Sequence, residues 1–214
     1  NIGEYSPLSE GVSMVPLERT ITREYDPNGN MIRVTSGTEA TVVLTYDASD
    51  RLKSYTQGDI YASFTYDGEG KRVSKRADDI STGDIQDISY LYDGRRILYE
   101  MDPLDVISRN VYGINLICRM QENDGSLAYY MYNGHGDVVG LLDLNGAIIA
   151  SYEYEAFGDI SEEYGSCDSP YKFAGEYLDS ETGFYLMGAR YYSPGMGRWI
   201  TEDPYKGTIK DLTT

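Results

Sequence analysis

Apolar and polar residues alternate in short runs along this chain, and residues that favour turns separate the runs. In Leu44-Thr45-Tyr46 and Phe64-Thr65-Tyr66 a polar residue lies between two apolar or aromatic ones, as in a half-buried strand. Turn clusters such as Pro27-Asn28-Gly29 and Gly68-Glu69-Gly70 lie between such runs. No segment of helix length has apolar residues at a 3.6-residue spacing with suitable caps. The pattern predicts an almost entirely β protein.

The dipeptide Tyr-Asp marks a repeat in this pattern. It occurs at residues 25–26, 46–47, 66–67 and 92–93, at intervals of 20 to 26 residues. Tyr suits a half-buried strand and Asp suits the turn that follows it, so each copy predicts a unit of strand, tight turn and strand. Such a hairpin cannot bury its own apolar face, so successive hairpins must extend one sheet. We expect a long, curved and spiralling antiparallel sheet.

Hairpin signals continue beyond the Tyr-Asp units. Asp124-Gly125, Asn133-Gly134 and Asn145-Gly146 are turn dipeptides. They separate runs at 127–132, 138–144 and 147–154 that are rich in apolar or aromatic residues. The β prediction therefore extends well into the second half of the chain.

The charge of the chain excludes several classes of partner. The 214 residues include 35 acidic and 18 basic side chains, a net charge of −17. Nucleic-acid affinity depends on Lys and Arg, so neither nucleic acid nor an anionic membrane is an expected partner. No apolar run approaches the roughly 18 residues of a membrane span. Neither end carries a signal peptide or anchor motif, and we expect both ends to be cuts in a longer chain.

The residue types that most often carry chemistry are few. Cys118 and Cys167 lack a CxxC partner, and both free thiols and one long-range disulfide stay open. His135 is the single histidine and lies in a Gly-rich turn beside Asp137. It has no neighbours suited to metal binding or base catalysis, so we expect a packing or capping role. Nucleotide, zinc-protease and hydrolase motifs are absent from the sequence, and we expect no cofactor and no metal.

Four segments of the second half carry a family resemblance. They are YMYNGHGDVVGLLDLNG at 130–146, SYEYEAFG at 151–158, YKFAGEYLDSETGFY at 171–185 and ARYYSPGMGRWITEDP at 189–204. This part of the chain resembles the Rhs-repeat-associated core domain, and the Tyr-Asp units before it resemble the YD repeats of Rhs proteins. The resemblance implies four segments: a lead-in at 1–20, YD-repeat strands at 21–111, the core domain at 112–207 and a truncated tail at 208–214.

The resemblance also implies a function. Proteins of this kind, of which teneurins are distant relatives, wind YD repeats into a hollow β-shell around a C-terminal toxin or effector, and the core domain closes one end. The implied partners are preceding YD repeats and a toxin cargo of the same polypeptide, and we also expect self-association through truncated sheet edges. The implied location is secreted or on the bacterial cell surface.

Many bacterial members cut their own chain just after the core, using two successive Asp-Pro-x-Gly-Leu motifs. Asp203-Pro204-Tyr205-Lys206-Gly207 matches the first motif, with Thr208 in place of Leu. The second motif would lie beyond Thr214. Aspartic proteolysis needs two carboxyl groups that share a proton, so we expect activity only in a longer native chain. The resemblance makes Asp203 the candidate catalytic residue; a plain Asp-Pro turn is the alternative.

Two arginines flank this candidate residue. Arg190 and Arg198 are candidate partners for its carboxylate, with ordinary structural ion pairing as the alternative. Ser193 stands where the family has Asp, and we interpret that position as a turn.

A second function remains open from the residues alone. Tyrosine-rich repeats of about 20 residues also occur in modules that bind cell-wall or host-surface glycans. Those modules rely on Trp, of which this chain has one. We therefore expect a structural shell-and-plug segment, with glycan binding as the alternative.

Overall fold

The computed structural model describes residues 21–37, 39–165, 167 and 169–203. Within these residues it contains 18 strands in two antiparallel sheets and two short 3₁₀ turns. The prediction of an almost entirely β protein is confirmed. The expected lead-in, the expected tail and the motif residues after Asp203 lie outside the described residues.

The first sheet has fourteen strands, and each strand pairs with the next one along the chain. Every pairing is antiparallel, as the hairpin pattern predicts. The strands are β1 (Ile21–Tyr25), β2 (Met31–Ser36), β3 (Val42–Tyr46), β4 (Leu52–Gln57), β5 (Ile60–Tyr66), β6 (Arg72–Asp79), β7 (Asp84–Asp93), β8 (Arg96–Met101), β9 (Val106–Tyr112), β10 (Leu116–Gln121), β11 (Leu127–Tyr132), β12 (Val138–Leu142), β13 (Ile148–Tyr154) and β14 (Ile160–Gly165).

The second sheet is a four-stranded meander formed by the C-terminal part of the described chain. A 3₁₀ turn precedes its first strand (Phe173–Gly175), and another lies between its last two strands (Pro194–Met196). The strands are β15 (Tyr177–Asp179), β16 (Phe184–Met187), β17 (Arg190–Ser193) and β18 (Arg198–Trp199).

The tyrosine links its hairpin to the preceding one in three of the four Tyr-Asp units. It lies at a β-bulge at the end of its strand, and its hydroxyl donates a hydrogen bond to a backbone carbonyl one hairpin earlier. This bond satisfies a buried polar group and fixes the spacing of successive hairpins. The bonds measure 2.7–2.9 Å and join Tyr46 to Met31, Tyr66 to Leu52 and Tyr92 to Arg72.

The aspartate of the unit builds the turn. Asp67 Oδ1 accepts hydrogen bonds from the backbone N–H groups of Glu69 and Lys71, both at 2.9 Å. The N–H of Asp67 closes the loop on the carbonyl of Lys71 at 2.9 Å. Gly70 takes the left-handed conformation (φ +86°) that the turn requires, whereas Asp50 holds it at φ +59° in the preceding unit.

Two further units share this geometry although they lack the Tyr-Asp dipeptide. Tyr132 donates to the carbonyl of Leu116 at 2.8 Å, and Tyr154 donates to that of Val138 at 2.6 Å. Asn133 and Glu155 take the place of Asp. The predicted boundary at 111/112 falls within β9, and the first sheet continues past it to β14. The position of the domain boundary stays a prediction.

The second sheet packs on one face of the first, and the main core lies between them. Aromatic side chains of the two sheets meet along this interface. Edge-to-face contacts join Tyr55 to Phe184 and Tyr90 to Tyr177, each with ring centroids 5.8 Å apart. The C-terminal segment thus covers several consecutive hairpins.

No disulfide joins Cys118 to Cys167. Cys118 is buried in β10, and its burial raises the pKa of the thiol. The long-range disulfide that the sequence leaves open is therefore not formed between these two residues.

Candidate functional site

The structure brings Arg190 and Asp203 together. Arg190 begins β17, and its Nη1 atom lies 2.8 Å from Asp203 Oδ2. The side chain of Arg190 is 25% exposed and that of Asp203 is 54% exposed. Asp203 is therefore held by a cation while its side chain is partly exposed to solvent. Its catalytic role stays a prediction.

Arg198 makes a different contact. It lies on β18, and its Nη1 atom donates to the Tyr25 hydroxyl at 3.1 Å. Tyr25 ends β1 and belongs to the first Tyr-Asp unit. Arg198 thus connects the second sheet to the first strand of the large sheet. Within the described residues it is Arg190, not Arg198, that pairs with the Asp203 carboxylate.

Ile200 anchors the chain just before Asp203. Its side chain is buried against the core, and its N–H donates to the Tyr191 carbonyl at 3.0 Å. The N–H of Met31 donates to the Ile200 carbonyl at 2.9 Å. The candidate residue therefore lies three residues after a segment fixed between β17 and β2. Ser193 is buried and ends β17 in an extended conformation directly before the 3₁₀ turn at Pro194–Met196, with no side-chain hydrogen bond that caps this turn. Its role as a turn residue stays a prediction.

A buried ion cluster joins the two sheets at their centre. Arg72 of β6 pairs with Asp179 of β15, and the side chains of both are fully buried. Lys75 Nζ lies 3.1 Å from Asp179 Oδ1 and 3.0 Å from Glu181 Oε2. Burial opposes ionisation of Asp179, but Arg72 and Lys75 hold the pKa of its carboxyl below the usual value. Burial and the nearby Asp179 carboxylate raise the pKa of Glu181.

A second buried pair lies farther along the large sheet. The Arg119 guanidinium binds Glu100 in a two-point geometry, with Nη1–Oε1 at 2.5 Å and Nη2–Oε2 at 3.0 Å. Tyr177 of the second sheet donates to Glu100 Oε2 at 3.3 Å. Charged groups thus fix the alignment of one sheet on the other, because a shift would leave them buried without partners.

Sequence reasoning missed these charged residues, although one signal was available. The backbone carbonyl of Arg72 accepts the hydrogen bond from the tyrosine hydroxyl of the next unit. At the equivalent position the other hairpins bury an apolar residue. A charge at a buried repeat position needs a buried partner, and Asp179 supplies it. The equivalent residues are Met31, Leu52, Leu116 and Val138.

His135 has the capping position that we expected. Its Nδ1 atom lies 2.8 Å from Asp137 Oδ1, and its ring packs against Phe173. The same Asp137 oxygen accepts the N–H of Ala174 at 2.8 Å. Burial opposes ionisation of Asp137, yet these hydrogen bonds keep the pKa of the carboxyl below its usual value. The loop after β11 is thereby attached to the 3₁₀ turn before β15.

Comparison with curated proteins identifies relatives among bacterial nucleases and toxins. The chain is 33% identical over 196 residues to the tRNA nuclease WapA of Bacillus subtilis, covering 87% of this chain and 8% of the relative. It is 28% identical over 213 residues to double-stranded DNA deaminase toxin A of Burkholderia cenocepacia, covering 85% of this chain and 15% of the relative. The chain thus spans a small part of the curated relatives it matches. No family model matches it.

Solved structures share the fold. The Photorhabdus luminescens Tc holotoxin pore superposes with a TM-score of 0.64 at 20% identity, covering 90% of this chain and 12% of that chain. The TcdB2-TccC3 crystal structure superposes with a TM-score of 0.63 at 20% identity, covering 88% and 12%. No helix that would span a membrane occurs in the part of the chain that the structure describes. The two-sheet arrangement is therefore an Rhs-like β-shell fold.

Proposed function

We propose that this chain is a shell-and-plug segment of an Rhs/YD-repeat polymorphic toxin, which encloses a C-terminal toxin or effector of the same polypeptide. In this proposal the Tyr-Asp hairpins form part of the shell wall, and the core domain predicted at 112–207 closes it, with its residues 169–203 packed across the large sheet. In this proposal the complete protein is secreted or held at the bacterial cell surface.

The observation that carries the proposal is the packing of the second sheet across the first. Backbone hydrogen bonds, aromatic contacts and buried ion pairs hold residues 169–203 against strands from β2 to β13. In this proposal the wall is covered by its own C-terminal segment, which is anchored to both sheets at Ile200. A cargo domain that follows this point in the chain would be retained by the same wall.

The relatives support the proposal that an enclosing segment and a toxin domain are separate parts of one protein. The two relatives are named for different activities, a tRNA nuclease and a DNA deaminase toxin. Each match covers most of this chain but only a small part of the relative. The shared segment therefore corresponds to a function common to both proteins. Enclosure of the variable toxin domain is such a function.

We further propose that Asp203 takes part in aspartic-type self-cleavage in the longer native chain. Its carboxylate is positioned by Arg190 and is half exposed, so a second carboxyl group can approach it. Two carboxyl groups that share one proton divide the roles of acid and base between them. The 214-residue chain holds only the first of the two motifs and is inactive in this proposal.

The experiment is expression of the natural chain continued a few dozen residues past Thr214. We expect two bands on a denaturing gel and one band for Asp203→Asn. Arg190→Gln should slow cleavage strongly, and Arg198→Gln is the matched control because its contact is with Tyr25. A well-folded, longer wild-type chain that stays intact would refute the cleavage proposal and leave Asp203 as a turn residue.

Burial of the tyrosines favours the shell over the glycan-binding alternative. Tyr90, Tyr152, Tyr177, Tyr185 and Tyr191 are all at most 5% exposed. Their rings form the core between the sheets and are closed to a sugar ligand. A glycan array tests this: strong binding that is lost on Tyr→Ala substitution at exposed positions such as Tyr61 would overturn the assignment.

A further inference from the structure

Trp199 contacts the arginine of the candidate cleavage site. The Arg190 guanidinium carbon lies 4.1 Å from the centroid of the Trp199 ring. The same guanidinium also reaches Asp203, with Nη1 at 2.8 Å from Oδ2. A planar guanidinium stacks well on an aromatic face, and Trp is the ring that attracts a cation most strongly. Arg190 is therefore held at two points.

The ion pair by itself cannot fix Arg190. Asp203 is 54% exposed, and pairs in solvent are weak because they must also order long, flexible side chains. A second contact that already restricts the guanidinium lowers the entropy that is lost when the carboxylate binds it. The indole ring is placed to provide it.

The position of Trp199 does not depend on the cleavage site. Trp199 pairs with Tyr192 across β17 and β18, and the two rings meet edge to face at 5.5 Å. The Tyr192 hydroxyl donates to the Phe157 carbonyl at 3.0 Å. The indole is thus attached to the β13–β14 hairpin of the large sheet through Tyr192.

We infer that Trp199 is a positioning residue, which holds the Arg190 guanidinium in the geometry that binds the Asp203 carboxylate. This inference rests on the self-cleavage proposed above and adds a residue to that site. It explains why Arg190, rather than Arg198, faces Asp203: the strand register brings the indole beside Arg190.

The first test needs no activity. Trp199 is the only tryptophan of the chain, so fluorescence quenching by acrylamide reports on its accessibility alone. We expect Arg190→Ala to raise the quenching constant about twofold by uncovering one ring face. Asp203→Asn should raise it less, and the neighbouring Arg198→Ala is the matched control with little change. An Arg190→Ala value equal to wild type would show that the contact is not formed.

The second test uses the longer native chain. Trp199→Leu should slow cleavage at least about tenfold, because a misplaced catalytic group costs much of the rate. Trp199→Phe should restore most of the rate, since a phenyl ring still attracts the cation. The thermal midpoints of the two variants should be close, so that a loss of folding cannot explain the difference.

The two proposals can fail separately. A wild-type longer chain that stays intact refutes self-cleavage and any role of Trp199 in it, while the quenching result still reports on the Arg190 contact. Wild-type cleavage that proceeds equally fast in Trp199→Leu refutes the positioning role alone.

Discussion

Arg72 and Asp179 form a fully buried ion pair between strands that lie in different sheets. Arg72 Nη1 and Nη2 also donate to the hydroxyls of Tyr191 and Tyr90, at 2.9 and 3.1 Å. The guanidinium is thus surrounded by partners from both sheets. This pair connects the Tyr-Asp hairpins to the C-terminal segment that covers them.

Removal of one charge of this pair should therefore destabilise the folded protein. Asp179→Asn leaves Arg72 buried without its anion and should lower the free energy of unfolding by roughly 3–5 kcal/mol. Addition of Arg72→Met should recover part of the loss, because other hairpins bury an apolar residue at this position. Urea unfolding measures both changes. Asp87→Asn is the control, since its pair with Arg76 is about half exposed and should contribute at most about 1 kcal/mol. Equal losses for Asp179→Asn and Asp87→Asn would contradict the role of the pair.

The repeat tyrosines should contribute through their hydroxyl groups. Tyr66→Phe removes the 2.7 Å hydrogen bond to the Leu52 carbonyl and should destabilise the protein by roughly 1 kcal/mol or somewhat more. Tyr61→Phe is the matched control on the same strand, because Tyr61 is 38% exposed; it should change stability by less than about 0.5 kcal/mol. Chemical denaturation distinguishes the two, and similar values would argue against the hydroxyl link.

Gly165 should not tolerate a side chain. It adopts φ +77°, and a Cβ atom there would lie 2.1 Å from the Ile149 carbonyl oxygen. Gly165→Ala should cost roughly 2–4 kcal/mol through strain and overlap with the neighbouring strand. Gly70→Ala has a similar φ but open space around it, so it should cost only about 1–2 kcal/mol. Thermal unfolding of the two variants compares them, and a smaller loss for Gly165→Ala would be the contrary result.

Glu176 should make the stability depend on pH. Burial raises the pKa of its carboxyl, so the charged form is disfavoured in the folded state. Its unfavourable contribution is absent below the unfolded pKa of about 4.3, grows as the pH rises from there, and is complete above the folded pKa. Glu176→Gln should therefore stabilise the protein at pH 7 and have less effect at pH 4. Urea unfolding at both pH values tests this, and a gain confined to pH 4 would have the wrong sign.

The sequence determined the hairpins because their signals are local. Tyr and Asp act within a strand end and the five residues that follow, so the dipeptide at 66–67 predicts both a strand and a turn without knowledge of distant residues. The units at Tyr132 and Tyr154 keep the tyrosine but not the aspartate, and their equivalence became visible only from the hydrogen bonds. Asn133 can build the turn because its side-chain oxygen accepts the same backbone N–H groups.

The tertiary structure alone decided which residues meet across the two sheets. The Arg72–Asp179 pair joins residues more than a hundred positions apart. No local sequence pattern predicts a contact between residues so far apart. The same holds at the candidate site. The sequence supplied Asp203 and two flanking arginines, but strand register chose between them: it brought Arg190 to the carboxylate and Arg198 to Tyr25. Local propensity sets the strands and turns, whereas the partners of buried and charged groups follow from how the sheets pack.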